Sequence, residues 1–398
     1  MANFSAAEIY SVTVATKVSY GMRWVPNYFW QRISRRVPRG PLHLMITLAD
    51  HFEPAIVPGN GYARAPYTEQ IQRLETWCEQ YPKLVGKWHD HDGHTFKHTY
   101  FYPAEQYDAG LVSQLADHCR AGWGEIEVHL HHGMNAPDTA LNTHRTLVNF
   151  RDTLASQHRA LSYLDGAGSP VYAFVHGNFA LANSSKGVAC GVDSEMQVLA
   201  ETGCYADMTL PTGYFHPAQI GKINSLYECG MSLSERAPHR RGRDLRRGRA
   251  PAILPIMVQG PLMLDFASTR SRHFSIENGA LTRANPPSLS RLQSWKRAAV
   301  RVAGRPDWLF IKLHCHSMDP TQHPAVLGDA MSGFLRELVE GANQRGEFLH
   351  FVSAREMVNI IFAACDGHEG NPGQYRNYRL KLRKAAPAIS RNRVAEAV

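Results

Sequence analysis

Several stretches of the chain alternate apolar and polar residues with a period of two. In GEIEVHLHHG, Glu125, Glu127, His129 and His131 share one parity, and Ile126, Val128 and Leu130 share the other. That is the pattern of an extended strand with one apolar and one polar face. WLFIKLHCHS sets Phe310, Lys312, His314 and His316 against Ile311, Leu313 and Cys315. VYAFVHGN sets Tyr172, Phe174, His176 and Asn178 against Ala173 and Val175, and CYADMTL sets Tyr205, Asp207 and Thr209 against Ala206, Met208 and Leu210. The run LHLMITLAD, from Leu42 to Asp50, is almost unbroken in its hydrophobicity, as in strands covered on both faces. Further β segments are predicted at TFKHTYFYP, AILPIMVQG and EFLHFVS, with helices over 69–80, 109–120, 139–161, 193–202, 288–302, 324–344 and 354–364. Strands alternating with helices predict an α/β fold, a distorted (β/α) barrel of about seven strands with helical and loop elaborations. The barrel is expected to span 42–380, preceded by a basic extension at 1–41 and followed by a disordered basic tail at 381–398. Helices over the apolar faces would leave the polar faces looking inward, with their polar ends at the C-terminal mouth of the barrel.

Composition narrows the class without naming a reaction. The chain has 398 residues, 44% of them hydrophobic, enough for a large core. It has no apolar run of the roughly eighteen residues a membrane helix needs, and its start lacks the pattern of a secretory signal. Seven cysteines without C-x-x-C spacing fit free thiols in a reducing compartment, so a cytoplasmic location is expected. The net charge of +8 is concentrated at Arg32 to Arg39 and His239 to Arg249. The second block is expected to be a solvated, mobile loop. In the first, aromatic residues beside arginines suit peripheral membrane contact, although Pro26 is expected to interrupt any helix and favour a lid packed on the main domain. No aromatic platform or reading helix accompanies the charge, which argues against nucleic acid.

Among 21 histidines, the group His129, His131 and His132 stands out. Two imidazoles on one strand face are separated by about the span of a metal's coordination sphere. Asp50, at the end of the first apolar strand, would add a hard oxygen ligand, with His51 its nearest competitor; the alternative is a hydrogen-bonded structural cluster. His314 and His316 form a second group around Lys312. One of them could protonate a leaving group, while Lys312 could fix an anionic group. Asp207 would serve as a general base or orient a histidine. His176 and Asn178 suit substrate hydroxyl or carbonyl contacts.

The blocks ADHFEP, TYFYPAEQYD, GEIEVHLHHG, FVHGNFALANSS, GCYADMTLPT, GRPDWLFIKLHCHS and LHFVSAREMVNII together resemble a divergent bacterial group within the polysaccharide deacetylase (NodB-like, carbohydrate esterase family 4) superfamily. The resemblance implies a distorted barrel and a divalent metal, commonly zinc, whose bound water attacks an acetyl group on a sugar. It places Asp50 on the ligand of the first motif and Ala49 where the base belongs. The two histidines four apart have no match, so His131 or His132 would be the second ligand. His314 matches the closing histidine and would be the general acid, His316 is extra and would join His176, Asn178 and Lys312 in binding substrate, and Asp207, His51 or Glu53 would replace the missing base. The expected function is a metal-dependent sugar N- or O-deacetylase acting on a carbohydrate or sugar precursor in surface-polysaccharide assembly. The alternatives are a catalytically inactive glycan-binding or scaffold barrel and, behind it, a metallophosphoesterase or amidohydrolase.

Overall fold

The computed structural model describes residues 19–38, 40–60, 63–212, 216, 218–230, 232–265 and 275–383. Among them run strands β1 (Leu42–His51), β2 (His98–Pro103), β3 (Gly124–Leu130), β4 (Ser162–Leu164), β5 (Pro170–His176), β6 (Cys204–Asp207) and β7 (Leu226–Cys229). They continue as β8 (Gly242–Asp244), β9 (Ile256–Val258), β10 (Met263–Asp265), β11 (Ser275–Glu277), β12 (Trp308–Cys315), β13 (Glu347–Phe351) and β14 (Leu380–Leu382). The helices are α1 (Val25–Ser34), α2 (Tyr67–Val85), α3 (Ala109–His118), α4 (Ala140–Ser156), α5 (Glu195–Glu201), α6 (Leu289–Ala298), α7 (His323–Val326), α8 (Asp329–Glu340) and α9 (Ala354–Cys365). Each helix expected from the periodicity has a counterpart within a few residues, with the segment expected at 324–344 broken into α7 and α8 at Gly328.

Twelve strands form one mostly parallel sheet in the order β12–β1–β2–β3–β5–β6–β9–β7–β8, with β13, β4 and β14 attached. β1 is its centre. It pairs in parallel with β12 along one edge and, along the other, with β13 at Leu42 to Ile46 and then with β2 at Leu48 to His51. The expected barrel does not close. The outer edge of β12 is taken by irregular backbone, where Phe310 N donates to Val300 O, His314 N to Gly279 O and Leu281 N to the His314 carbonyl. On the far side, β9 pairs antiparallel with β7 and β7 antiparallel with β8. The Lys312 ammonium reaches across instead, donating to the carbonyls of Met208 and Leu210 just past β6. Strand count alone suggested closure; the edges were already spoken for.

Two cores lie on the two faces of β1. Leu44, Ile46 and Leu48 join one apolar cluster with Leu74, Trp77 and Tyr81 of α2, Leu111 and Leu115 of α3, and Phe334 and Leu338 of α8. Met45, Ala49, Phe101, Ala173 and Val175 join the other, with Met357, Ile360, Ile361 and Ala364 of α9. α9 is buried along its whole length, its apolar residues packing into the core and its Arg355, Glu356 and Asn359 each meeting polar partners. Its start is fixed by a capping box between Ser353 and Glu356. Arg355 then makes a two-point ion pair with Glu125 of β3.

The inner face also buries Glu127, whose carboxylate accepts from Ala173 N at 2.6 Å and from the Tyr205 hydroxyl. Burial pushes its carboxyl up to about 8, against the pull of the Tyr205 hydrogen bond. A carboxyl whose value is raised on folding binds its proton more tightly in the native state. Its contribution therefore falls as pH rises from about 4.5, where the unfolded chain ionises, to about 8. Glu127→Gln titrates nothing there. It is expected to flatten the decline in denaturant midpoint between those pH values, a difference of about 2–4 kcal/mol. An identical slope in both proteins would show that Glu127 is not buried and neutral.

Pro26 does not interrupt the N-terminal helix. It lies in the first turn of α1, where the missing N–H costs nothing because no intrahelical acceptor exists there. Buried Trp24 and Tyr28 anchor the segment, and Asn27 and Gln31 donate to the carbonyls of Gly221 and Ile223 at 2.6 and 2.8 Å. The second basic block is likewise more ordered than its charge suggests, because β8 pairs with β7 and Arg243 bonds to Glu228. At the other end β14 crosses the boundary expected at 380 by pairing with β4; the rest of the expected tail, 384–398, lies outside the described residues. The cysteines are all free. No helix among the described residues is long and apolar enough to cross a membrane.

Candidate metal centre

The C-terminal ends of β1, β2, β3 and β12 deliver a cluster of imidazoles and carboxylates to one place. β1 ends at His51, and the chain turns so that Phe52 N bonds to Phe101 O of β2, at 3.0 Å. That turn brings Glu53 over the strand ends. β3 contributes His129, and His131 follows just beyond its end. β12 and its exit contribute His314 and His316, and the short helical turn Ala104–Gln106 after β2 contributes Glu105.

Glu53 sits at the centre. One carboxylate oxygen lies 3.5 Å from His129 Nε2 and 3.2 Å from His131 Nε2, and the other lies 3.1 Å from His316 Nδ1. The far nitrogens of the first two rings are already committed. His129 Nδ1 donates to the Val175 carbonyl at 2.7 Å, and His131 Nδ1 bonds to Glu105 Oε1 at 2.7 Å. Such contacts orient both rings with Nε2 toward Glu53, the arrangement metal-bound histidines show. His129 Nε2 is buried with no hydrogen-bond partner. An unsatisfied buried nitrogen is costly, and a cation between it and Glu53 would satisfy it. Ligand atoms around a tetrahedral zinc at 2.0–2.1 Å stand about 3.3 Å apart, close to these separations. Glu53, His129 and His131 therefore fit a divalent ion.

The electrostatics follow from burial and proximity. Burial would push the Glu53 carboxyl up, but the imidazoles of His129, His131 and His316 packed around it hold it well below the usual carboxylate range. Burial works against charge on His131, yet its bonds to Glu105 and Glu53 raise it to about 10. His316 is also raised, Glu53 outweighing its burial. His51 is held well below the ordinary imidazole value by burial and by His316 and His129 beside it. Its ring centroid lies 4.8 Å from that of His129 and 4.5 Å from that of His316. His314 is lowered by burial and by Lys312, and its ring faces His51 at 6.5 Å.

The centre opens into a cleft of about 390 Å³ lined by His51, Glu53, Arg64, Gln106, Asn178 and Phe179, among others. Gly177 abuts it from behind: a Cβ there would lie 2.3 Å from His131 Cδ2. Because Glu105 holds the opposite edge of that ring, Gly177→Ala is expected to tilt His131. Metal affinity and kcat/KM should each fall about 10–100-fold, with the thermal midpoint little changed. Unaltered metal affinity would mean that the ring has room to move.

Several residues singled out from the sequence lie elsewhere. Asp50 does not meet His129. It shares the parity of Leu44, Ile46 and Leu48, so its carboxylate enters the helix-covered layer, accepting from His98 Nδ1 at 3.1 Å and Ser317 N at 2.9 Å. His132 parts from His131, as neighbours at a strand end do, and joins His176 beneath the loop that follows β5. Asp207 is bonded to Thr209 and is not among the residues lining the cleft, and burial pushes it up to about 7. Lys312 is spent on backbone carbonyls. Of the residues expected to bind substrate, Asn178 and His316 line the cleft. Glu105 was missed, although its place directly after the predicted strand TFKHTYFYP was a usable signal.

No protein-family model matches the chain. No curated protein sequence matches it either. Among solved structures, an alpha-mannosidase from Enterococcus faecalis V583 is similar over 80% of this chain and 29% of its own, with 12% sequence identity and a TM-score of 0.35. The chain thus spans less than a third of that enzyme's length.

Proposed function

We propose that the protein is a metal-dependent hydrolase acting on a carbohydrate, with an N- or O-acetylated sugar as the best-fitting substrate. The observation that carries the hydrolase reading is the buried, unpartnered His129 Nε2 facing Glu53 beside His131, each ring oriented through its other nitrogen. The sugar class rests on the motif resemblance. The cleft is compatible with it, since Phe179 offers a face for a sugar ring and Asn178 and Gln106 offer groups for hydroxyls.

Glu53, His129 and His131 would hold the ion, with zinc suited to this nitrogen and oxygen donor set. When bound, it supplies Lewis acidity toward an acyl oxygen and acidifies water. The chain's own residues do the rest. Glu105 and the Val175 carbonyl keep the two ligand rings in register. His51, packed against both His129 and His316, accepts the proton of the water that adds to the acyl carbon. His316, 3.1 Å from the second Glu53 oxygen, returns a proton to the amine or hydroxyl as the C–N or C–O bond breaks and the acid leaves. These roles replace those expected for Asp50, Asp207 and His314. On α1, exposed Phe29, Trp30 and Ile33 beside Arg32 support a peripheral contact with an anionic membrane surface, where a lipid-linked sugar precursor would be met.

The test is acetate release from acetylated amino sugars and O-acetylated glycans by zinc-loaded full-length protein. Release is expected, and it should be lost both with chelator and in His129→Ala. Glycan binding without turnover across several divalent metals would favour the inactive, glycan-binding alternative and end the hydrolase reading.

A further inference from the structure

We infer that the chain carries a second, structural metal site, formed by His132, His176, Cys190 and Glu195 and suited to zinc. These residues are all buried, and their donor atoms lie within 4.8 Å of one another. His132 Nε2 stands 3.1 Å from His176 Nε2 and 2.9 Å from Glu195 Oε1, and His176 Nε2 stands 3.4 Å from the same oxygen. Cys190 Sγ is 3.5 Å from Glu195 Oε2. Both imidazoles have committed their other nitrogen: His132 Nδ1 to Asp138 Oδ2 at 2.9 Å, and His176 Nδ1 to the Gly177 carbonyl. Their Nε2 lone pairs therefore face each other across a gap that holds only a carboxylate and a thiol. Two lone pairs so close repel unless a positive charge lies between them. Two neutral imidazoles, one thiolate and one carboxylate would exactly balance the charge of Zn²⁺, as burial away from water demands.

The loop between the ligands supplies an independent reason. From His176 to Glu195 the backbone is left-handed at Asn178, Phe179, Ala182, Asn183, Lys186 and Ala189, with φ between 47° and 59°. Such conformations in non-glycine residues persist only where the surroundings over-determine them. Leu181 and Ala182 are buried in the large core, while the rest of the loop lies on a small apolar cluster of Ala180, Ala189, Cys190 and Val192 with Met134 against it. A metal gripping the segment at both ends would add support where the small cluster contributes little, between 183 and 195. Asn178 and Phe179, which line the cleft, belong to this loop. The second ion would thereby set the cleft wall, whether or not the reaction proposed above is the right one.

Cobalt substitution of the full-length protein separates the two centres, because only this one contains a thiol. A thiolate-to-cobalt charge-transfer band is expected in wild type and in His129→Ala, and in Cys315→Ser, whose Cys315 lies beside Asp50 and His98. It should vanish in Cys190→Ser, with the loss of one equivalent of tightly bound zinc. Chelation should also speed proteolytic cleavage within 178–194 about tenfold or more. If Cys190→Ser does not fold, wild type and Cys315→Ser decide. Absence of the band from cobalt-loaded wild type, or its loss with Cys315 instead of Cys190, overturns the inference and leaves a protonated His132 bridging Glu195 and His176. Loss of acetate release in His129→Ala with the band intact would bear on the proposed reaction alone.

Discussion

Glu53→Gln is expected to abolish tight metal binding at the cleft and lower turnover by about three orders of magnitude, the several kcal/mol of transition-state stabilisation that a bound ion supplies. The substitution preserves size and hydrogen-bonding reach but removes the one negative ligand facing His129 and His131. It also leaves the charge on His316 without its carboxylate, so the proposed proton donor weakens at the same time. The fold should survive, because Glu53 lies on the turn after β1 and anchors no core contact. Metal content, kcat/KM and the unfolding midpoint, measured together, separate these effects. A variant with a full complement of metal and normal turnover would show that Glu53 is not a ligand, and the reading of the whole centre would fall with it.

The largest effect on stability is expected at Arg376. Its guanidinium is buried and bonds to Asp90 Oδ2 at 2.7 Å, Asp92 Oδ2 at 3.0 Å and Glu356 Oε2 at 3.4 Å, as well as to the Phe351 carbonyl. It thus ties the loop before β2, the end of β13 and the first turn of α9 into one network. Arg376→Ala would leave the Asp90 carboxylate, which is wholly buried, without its cation. Removing one partner of such a pair typically costs about 3–5 kcal/mol, read as a drop in denaturant midpoint at unchanged slope. The pH dependence has a definite sign. Burial raises the Glu356 carboxyl, but Lys97, Arg355 and Arg376 outweigh it and hold it below its usual 4.5. A carboxyl depressed on folding contributes fully above the unfolded value and loses that contribution as pH falls through the folded one. Wild type should therefore lose stability progressively as pH falls below about 4.5, and Arg376→Ala should lose less over the same range. Equal acid sensitivity in both would place the charge coupling elsewhere.

The inward-looking face of β3 and β12 was legible because alternation survives there. His129 and His314 each sit on a polar parity opposed by Ile126 and Val128, or by Ile311 and Leu313, and those apolar residues do face the helices. β1 offered no such pattern. With Leu42 to Ala49 apolar on nearly every position, nothing in LHLMITLAD told which parity faces inward: Asp50 lies in the helix-covered layer beside His98 and Cys315 instead of meeting His129, while Glu53 stands two residues past the strand. Glu195 and Cys190 carried no signal at all, since their meeting with His132 and His176 depends on the path of an irregular loop.

The order of strands and helices, the polar ends of β3 and β12, and the wealth of imidazole available to one end of the sheet were properties of the sequence alone, because period and propensity act over a few neighbouring residues. Which imidazole meets which carboxylate, that His131 and His132 join different clusters, and that the sheet stays open beside β12 were decided only in three dimensions. Those outcomes depend on turns and edge pairings between segments far apart in the chain, and a shift of one residue at a strand end sends a side chain to the opposite layer.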